Sequence, residues 1–155
     1  MFKSICDRIK KPASPGTLGI LTNPEHALFK DFPTDFHTNW QWYPIIKNSY
    51  PLILDNMPEE YRPIVQVIDN VERNHKLGLV FDLNVGGGKL LVCMADLETA
   101  RNTPEGLQFY ASLLEYMNSP EFKPAMSVST ESLKNLFVAG VQKEGIKVLD
   151  NISYD

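Results

Sequence analysis

The chain has 155 residues, of which 43% are hydrophobic and 22% charged, and its formal net charge is -4. That length suits a single domain with a real core. No basic run points to nucleic acid, and no apolar stretch is long enough to cross a membrane.

In chain order, residues 2–11 can form a short helix with Phe2, Ile5, Cys6 and Ile9 on one face, ended by Pro12 and Pro15. The segment is charged from residue 3 and is not a signal peptide. Residues 1–15 are therefore read as an extension or helix, 16–124 as the core of one domain spanning 1–155, and 125–155 as a C-terminal helix and tail. Thr17 to Thr22 reads as a strand, Asn23-Pro24 as a turn, and Glu25 to Lys30 as one helical turn.

Residues 31–43, DFPTDFHTNWQWY, hold both tryptophans and alternate aromatic rings with polar side chains. Such a segment can bury its rings and anchor a loop, or present a ring beside polar groups as a sugar-binding surface does. Its period is neither helical nor strand-like, which predicts an ordered loop with a helical turn near 39–43. On a helical turn Trp40 and Trp42 diverge by roughly 200°, which predicts one buried and one partly exposed ring. The candidate carbohydrate contacts are Trp40, Trp42, Tyr43, His37 and Asn39.

Leu52 to Asp55 and Ile64 to Ile68 read as strands, the second strongly β-branched. Leu77, Leu79, Phe81, Leu83 and Val85 alternate with Gly78, Val80, Asp82 and Asn84, a period of two with one apolar face. Gly86, Gly87 and Gly88 turn the chain, and Leu90 to Ala95 returns. That strand is apolar on both faces, which predicts a central position. Thr103-Pro104-Glu105 starts a helix to about Asn118, with Leu107, Tyr110, Ala111, Leu114 and Met117 as its apolar stripe. A second helix begins after Ser129, with Leu133, Leu136 and Phe137 inward, and ends at Gly140 or Gly145. Ile146 to Ile152 reads as a final strand.

Catalytic motifs are missing. The glycines before Lys89 do not make a phosphate loop, because Leu83 and Leu90 occupy the positions that need glycine and a hydroxyl residue. His26, His37 and His75 lack metal-ligand spacing, and no nucleophile elbow is present. Cys93 reads as a small core residue, and a disulfide with Cys6 has no support. Asp82 and Asp96 stand at strand ends, as paired carboxylates or, more simply, as solvated or capping groups. Catalytic residues, cofactor sites and metal sites are all read as none.

Five segments carry a resemblance: GTLGILTNPEH (16–26), FPTDFHTNWQW (32–42), PIVQVIDN (63–70), LGLVFDLNVGGGKLLVCMADL (77–97) and LQFYASLLEYMNSPEFKP (107–124). In this order, over roughly residues 16–137, they resemble the region near the C-terminal end of large bacterial family 2 glycoside hydrolases. Those are β-galactosidase-like enzymes common in gut Bacteroides-type bacteria. The resemblance implies a glutamine-amidotransferase-like α/β module, a flavodoxin-type relative of the trimerisation domain of β-galactosidase. It implies no chemistry here, because that family's catalytic glutamates lie in a separate barrel and the amidotransferase cysteine has no matching position.

The expected fold is a mixed α/β domain, with α+β as the alternative. It has a partial flavodoxin-like sheet, an antiparallel meander over 63–69, 77–85 and 88–95, and C-terminal helices. The expected function is a non-catalytic accessory domain in packing or assembly of a hydrolase. A carbohydrate-binding module is the alternative, and a small stand-alone enzyme comes last. Expected partners are the remaining domains of a longer hydrolase, carbohydrate, or a second copy of the chain. The resemblance places the parent in the periplasm or outside the cell, whereas a complete chain with this N-terminus would be cytoplasmic.

Overall fold

A computed structural model describes residues 19–47, 49–70 and 73–139, the side chains of 138 and 139 excepted. The predicted N-terminal helix, Cys6 and the C-terminal strand lie outside these residues. The elements in chain order are β1 (Ile20–Thr22), 3-10 turns at Ala27–Phe29 and Trp40–Trp42, α1 (Tyr43–Ile46), β2 (Leu52–Ile53), β3 (Val65–Val67) and β4 (Leu77–Val85). There follow β5 (Gly88–Cys93), α2 (Leu97–Ala100), α3 (Pro104–Asn118), β6 (Ser127–Val128) and α4 (Thr130–Ala139). Mixed helices and an open mixed sheet make this an α/β fold, with β3, β4 and β5 forming the antiparallel meander.

β4 is the strand on which the sheet is built. It pairs antiparallel with β2, β3 and β5 and parallel with β6, while β1 extends the sheet beyond β3. Val85 faces Gly88 across a two-residue turn in which Gly86 and Gly87 have φ of 57° and 82°. Two successive positive φ values define the type I′ hairpin, which matches strand twist and favours glycine. The triple glycine thus serves the turn.

The predicted single apolar face of β4 is only part of its burial, because Gly78 and Val80 are buried as well as Leu77, Leu79, Phe81 and Leu83. Gly78 lies so close to Leu54 that a Cβ there would sit 2.5 Å from its Cδ1. The predicted central strand is β4 rather than β5, whose one strand partner among the described residues is β4. β5 is apolar on both faces for another reason. Leu91 and Cys93 pack on the core cluster of Phe109 and Trp42, while Leu90 and Val92 join the cluster of Phe81 and Leu136.

α3 has the predicted bounds, with Thr103 capping through Oγ1 to the Gly106 N–H at 3.2 Å. Its inward stripe differs from the predicted one. Gly106, Phe109, Leu113 and Tyr116 face the core, while Leu107, Leu114 and Met117 are 56%, 43% and 46% exposed. Both stripes have helical spacing, and Gly106 decides between them. A Cβ at that position would lie 2.0 Å from the Ala100 carbonyl oxygen, so only glycine lets the start of α3 meet α2 this closely. In α4, Leu136 is buried and Leu133 half-buried as predicted, whereas Phe137 is exposed. No described helix is long and apolar enough to cross a membrane.

Candidate functional site

The aromatic segment has two layers. Trp42 is 0% exposed and meets Phe32, Phe109 and Phe29 edge-on at centroid distances of 5.3, 5.3 and 6.1 Å. Its indole Nε1–H donates to Thr34 Oγ1 at 2.7 Å, which satisfies the one polar group the ring carries. Trp42 is therefore an anchor, and its place among the carbohydrate contacts is withdrawn. Trp40, two residues earlier, is 87% exposed, as the divergence of side chains on a helical turn requires.

Trp40, Tyr43 and Asn39 come together, with Thr38 and Ile46, around a shallow groove of about 340 Å³. The Trp40 and Tyr43 rings meet at 61° with centroids 6.2 Å apart, forming a corner rather than a flat platform. Asn39 donates from Nδ2 to Asp35 Oδ2 at 3.2 Å, and its Oδ1 is buried without a partner. His37 stands apart from this groove. Its Nδ1–H donates to the Thr38 carbonyl at 3.0 Å, its ring packs edge-on against Phe36, and its backbone bridges to Leu21.

Sequence reasoning missed a second constellation, which comes from a gap along one edge of β4. Met94 N–H donates to the Leu79 carbonyl, so from Leu79 to Val85, beyond the register shift in the β3 pairing, odd-numbered residues of β4 turn their backbone groups toward β5 and even-numbered ones toward the opposite edge. On that opposite edge β3 reaches only to Val80, and β6 begins at Asn84. The Asp82 carbonyl falls in the gap, where the Tyr61 hydroxyl donates to it at 2.9 Å. Tyr116 of α3 donates its hydroxyl to Asp82 Oδ2 at 2.8 Å.

His26 completes the group, its ring edge-on to Tyr116 at 5.1 Å. His26 Nδ1 accepts the Leu28 N–H at 3.2 Å as a cap of the first 3-10 turn, so the neutral ring carries its proton on Nε2. Burial lowers the His26 pKa from its ordinary 6.5, partly offset by the Asp82 carboxylate. Burial likewise raises the Tyr61 and Tyr116 hydroxyls and the Asp82 charge adds to both, offset in part at Tyr61 by its bond to the Asp82 carbonyl, so both stay protonated. Asp82, His26, Tyr61 and Tyr116 line a pocket of about 550 Å³ together with Ile64 and Met126. The residues are scattered from 26 to 116, and no local motif joins them. The one signal in the sequence is a carboxylate placed mid-strand in β4.

Asp82 and Asp96 do not form a pair, and Asp82 lies within β4 rather than at its end. Asp96 caps α2 by accepting the Thr99 N–H at 3.1 Å and the Thr99 hydroxyl at 2.7 Å, which holds its pKa below the usual range. A third polar group ties the turn before β4. Asp55 takes His75 Nδ1 at 2.6 Å and the Lys76 N–H at 2.8 Å, and Asp69 takes Arg73 Nη2 at 2.8 Å and the His75 N–H at 3.1 Å. The Asp55–His75 pair has the shape of a catalytic dyad, but among the described residues no hydroxyl or thiol is bonded to His75, so it works as a clasp. Burial pushes the Cys93 thiol up to about 11, away from the thiolate that a nucleophile needs. Among the described residues no three His, Cys, Asp or Glu side chains group as metal ligands.

A family model described as Domain of unknown function (DUF8487) matches residues 1–138. The match spans most of the chain, and the chain belongs to that family. No curated protein matches it.

Proposed function

We propose that this chain is a non-catalytic accessory domain of a carbohydrate-active glycoside hydrolase, used in domain packing or assembly. The observation that carries the reading is the second apolar stripe of α3. Leu107, Leu114 and Met117 lie exposed at helical spacing on a well-capped helix whose other stripe already fills the core. An apolar helix face left in water favours a covering partner, since each large side chain buried there contributes roughly 1.5–3 kcal/mol. The hydrolase context rests on the resemblance of residues 16–137 to the C-terminal region of family 2 enzymes. The parent's other domains are then the partner, and the compartment is the parent's.

The test is association. The chain, expressed apart from the remaining domains of its parent and mixed with them, forms a complex in sedimentation velocity, and Leu114→Glu weakens it while leaving the thermal midpoint of the isolated chain unchanged. A chain that stays monomeric at high concentration and has no affinity for those domains overturns the proposal.

A carbohydrate-binding reading has its own observation, the exposed Trp40 beside Tyr43 at the mouth of the groove. A corner of two rings suits the end of a glycan better than its length. Titration with a β-linked oligosaccharide then changes Trp40 fluorescence, and Trp40→Ala abolishes the response.

A further inference from the structure

We infer that the pocket at the gap between β3 and β6 binds one neutral, hydroxyl-rich ring, held between the Asp82 carboxylate and the His26 imidazole. The inference stands on hydrogen-bond accounting at the two groups. Asp82 has two carboxylate oxygens, and the bond from Tyr116 goes to Oδ2 alone. A carboxylate offers about four acceptor positions, so Asp82, which lines the pocket, keeps Oδ1 without a hydrogen bond among the described residues. His26 spends Nδ1 on the Leu28 N–H, which leaves the Nε2 proton as a donor with no acceptor among the described residues.

A ligand that fits must therefore donate at one point and accept at another. A hydroxyl does both, and neighbouring hydroxyls on one ring can do so in sequence. The walls agree, since the Tyr61 and Tyr116 rings with Ile64 and Met126 supply the apolar surface on which a sugar ring lies. Asp82, with Glu60 and Glu121 also lining the pocket, works against an anion, whereas the His26 N–H and nearby Arg62 and Lys123 work against a cation. A fully apolar ligand would strip water from Asp82 and return no hydrogen bond. The site is distinct from the Trp40 groove, since the two share no lining residue.

The experiment is a nuclear magnetic resonance titration of the whole chain with methyl β-galactoside, methyl β-glucoside and methyl α-mannoside, following the ring signals of His26, Tyr61 and Tyr116. At least one glycoside shifts these signals with a dissociation constant of ~1 mM, the range of a single small ring. Asp82→Asn, which keeps the side-chain shape, weakens that binding by about tenfold. His26→Asn keeps a capping oxygen and removes the Nε2 donor, and it weakens binding as well. Trp40→Ala leaves it unchanged, so failure here and failure of the Trp40 groove are separable. No shift at the three rings with any glycoside overturns the inference. So do shifts that survive both pocket variants, or shifts confined to Trp40.

Discussion

Two places in this molecule set aromatic rings around a single polar contact, and they come to opposite ends. Around Trp42, three phenylalanine rings close on an indole whose one donor is met by Thr34, and nothing is left over. Around Asp82, two tyrosines and a histidine gather, but Tyr61 bonds the backbone carbonyl and only Tyr116 the carboxylate, so the carboxylate is partly satisfied and a cavity of about 550 Å³ remains. Aromatic content does not separate a core from a site. The separation lies in whether the donors and acceptors among the rings are used up.

The strongest way to break this comparison is at Trp42. Trp42→Ala removes the ring on which Phe29, Phe32 and Phe109 pack and should destabilise the chain by about 3–5 kcal/mol in urea unfolding. A loss below about 1 kcal/mol would mean that the segment is not anchored by this ring.

Removing one hydrogen-bond partner at each place sharpens the contrast. Thr34→Val leaves the Trp42 Nε1–H with no acceptor in a site closed to water, at a cost of about 1–3 kcal/mol. Tyr116→Phe takes the donor from Asp82 Oδ2, where pocket water can replace it, so the loss should be about 0.5–1.5 kcal/mol. Equal losses would contradict the claim that one site is closed and the other open.

A pH series probes the open site alone. The folded chain holds His26 below its ordinary pKa of 6.5, so the unfolded chain takes up the proton first. The stability tied to neutral His26 is thus complete above pH 6.5 and lost as the pH falls from there through the lowered folded value. Unfolding midpoints of the wild type and His26→Asn, compared across that window, should converge as the pH drops. Parallel curves would show that His26 does not titrate with folding.

The smallest effect belongs to Trp40. At 87% exposed, Trp40→Ala should change stability by no more than about 0.5 kcal/mol while removing nearly all of the acrylamide-quenchable tryptophan fluorescence. Two equally quenched tryptophans in the wild type would collapse the two-layer description of the segment.

Sequence alone determined the features whose cause is local. Thr103-Pro104-Glu105 carries its own cap, so the bounds of α3 were legible. Gly86 and Gly87 have positive φ because a two-residue hairpin demands it, and the alternation of 77–85 specified β4. The divergence of Trp40 and Trp42 followed from helical geometry, though not which ring would be inside. Tertiary structure decided whatever depends on a distant partner. The inward stripe of α3 turned on a packing against Ala100 so close that a Cβ at Gly106 would lie 2.0 Å from its carbonyl oxygen, since two apolar stripes of equal spacing cannot be ranked by periodicity. β5 is apolar on both faces because two core clusters flank it, a property that its own residues share with any central strand. The Asp82 pocket joins residues 26, 61, 82 and 116 across a gap in strand pairing. Each is unremarkable among its neighbours in the chain, and the site exists only because β3 pairs with β4 no further than Val80 and β6 pairs with it only from Asn84.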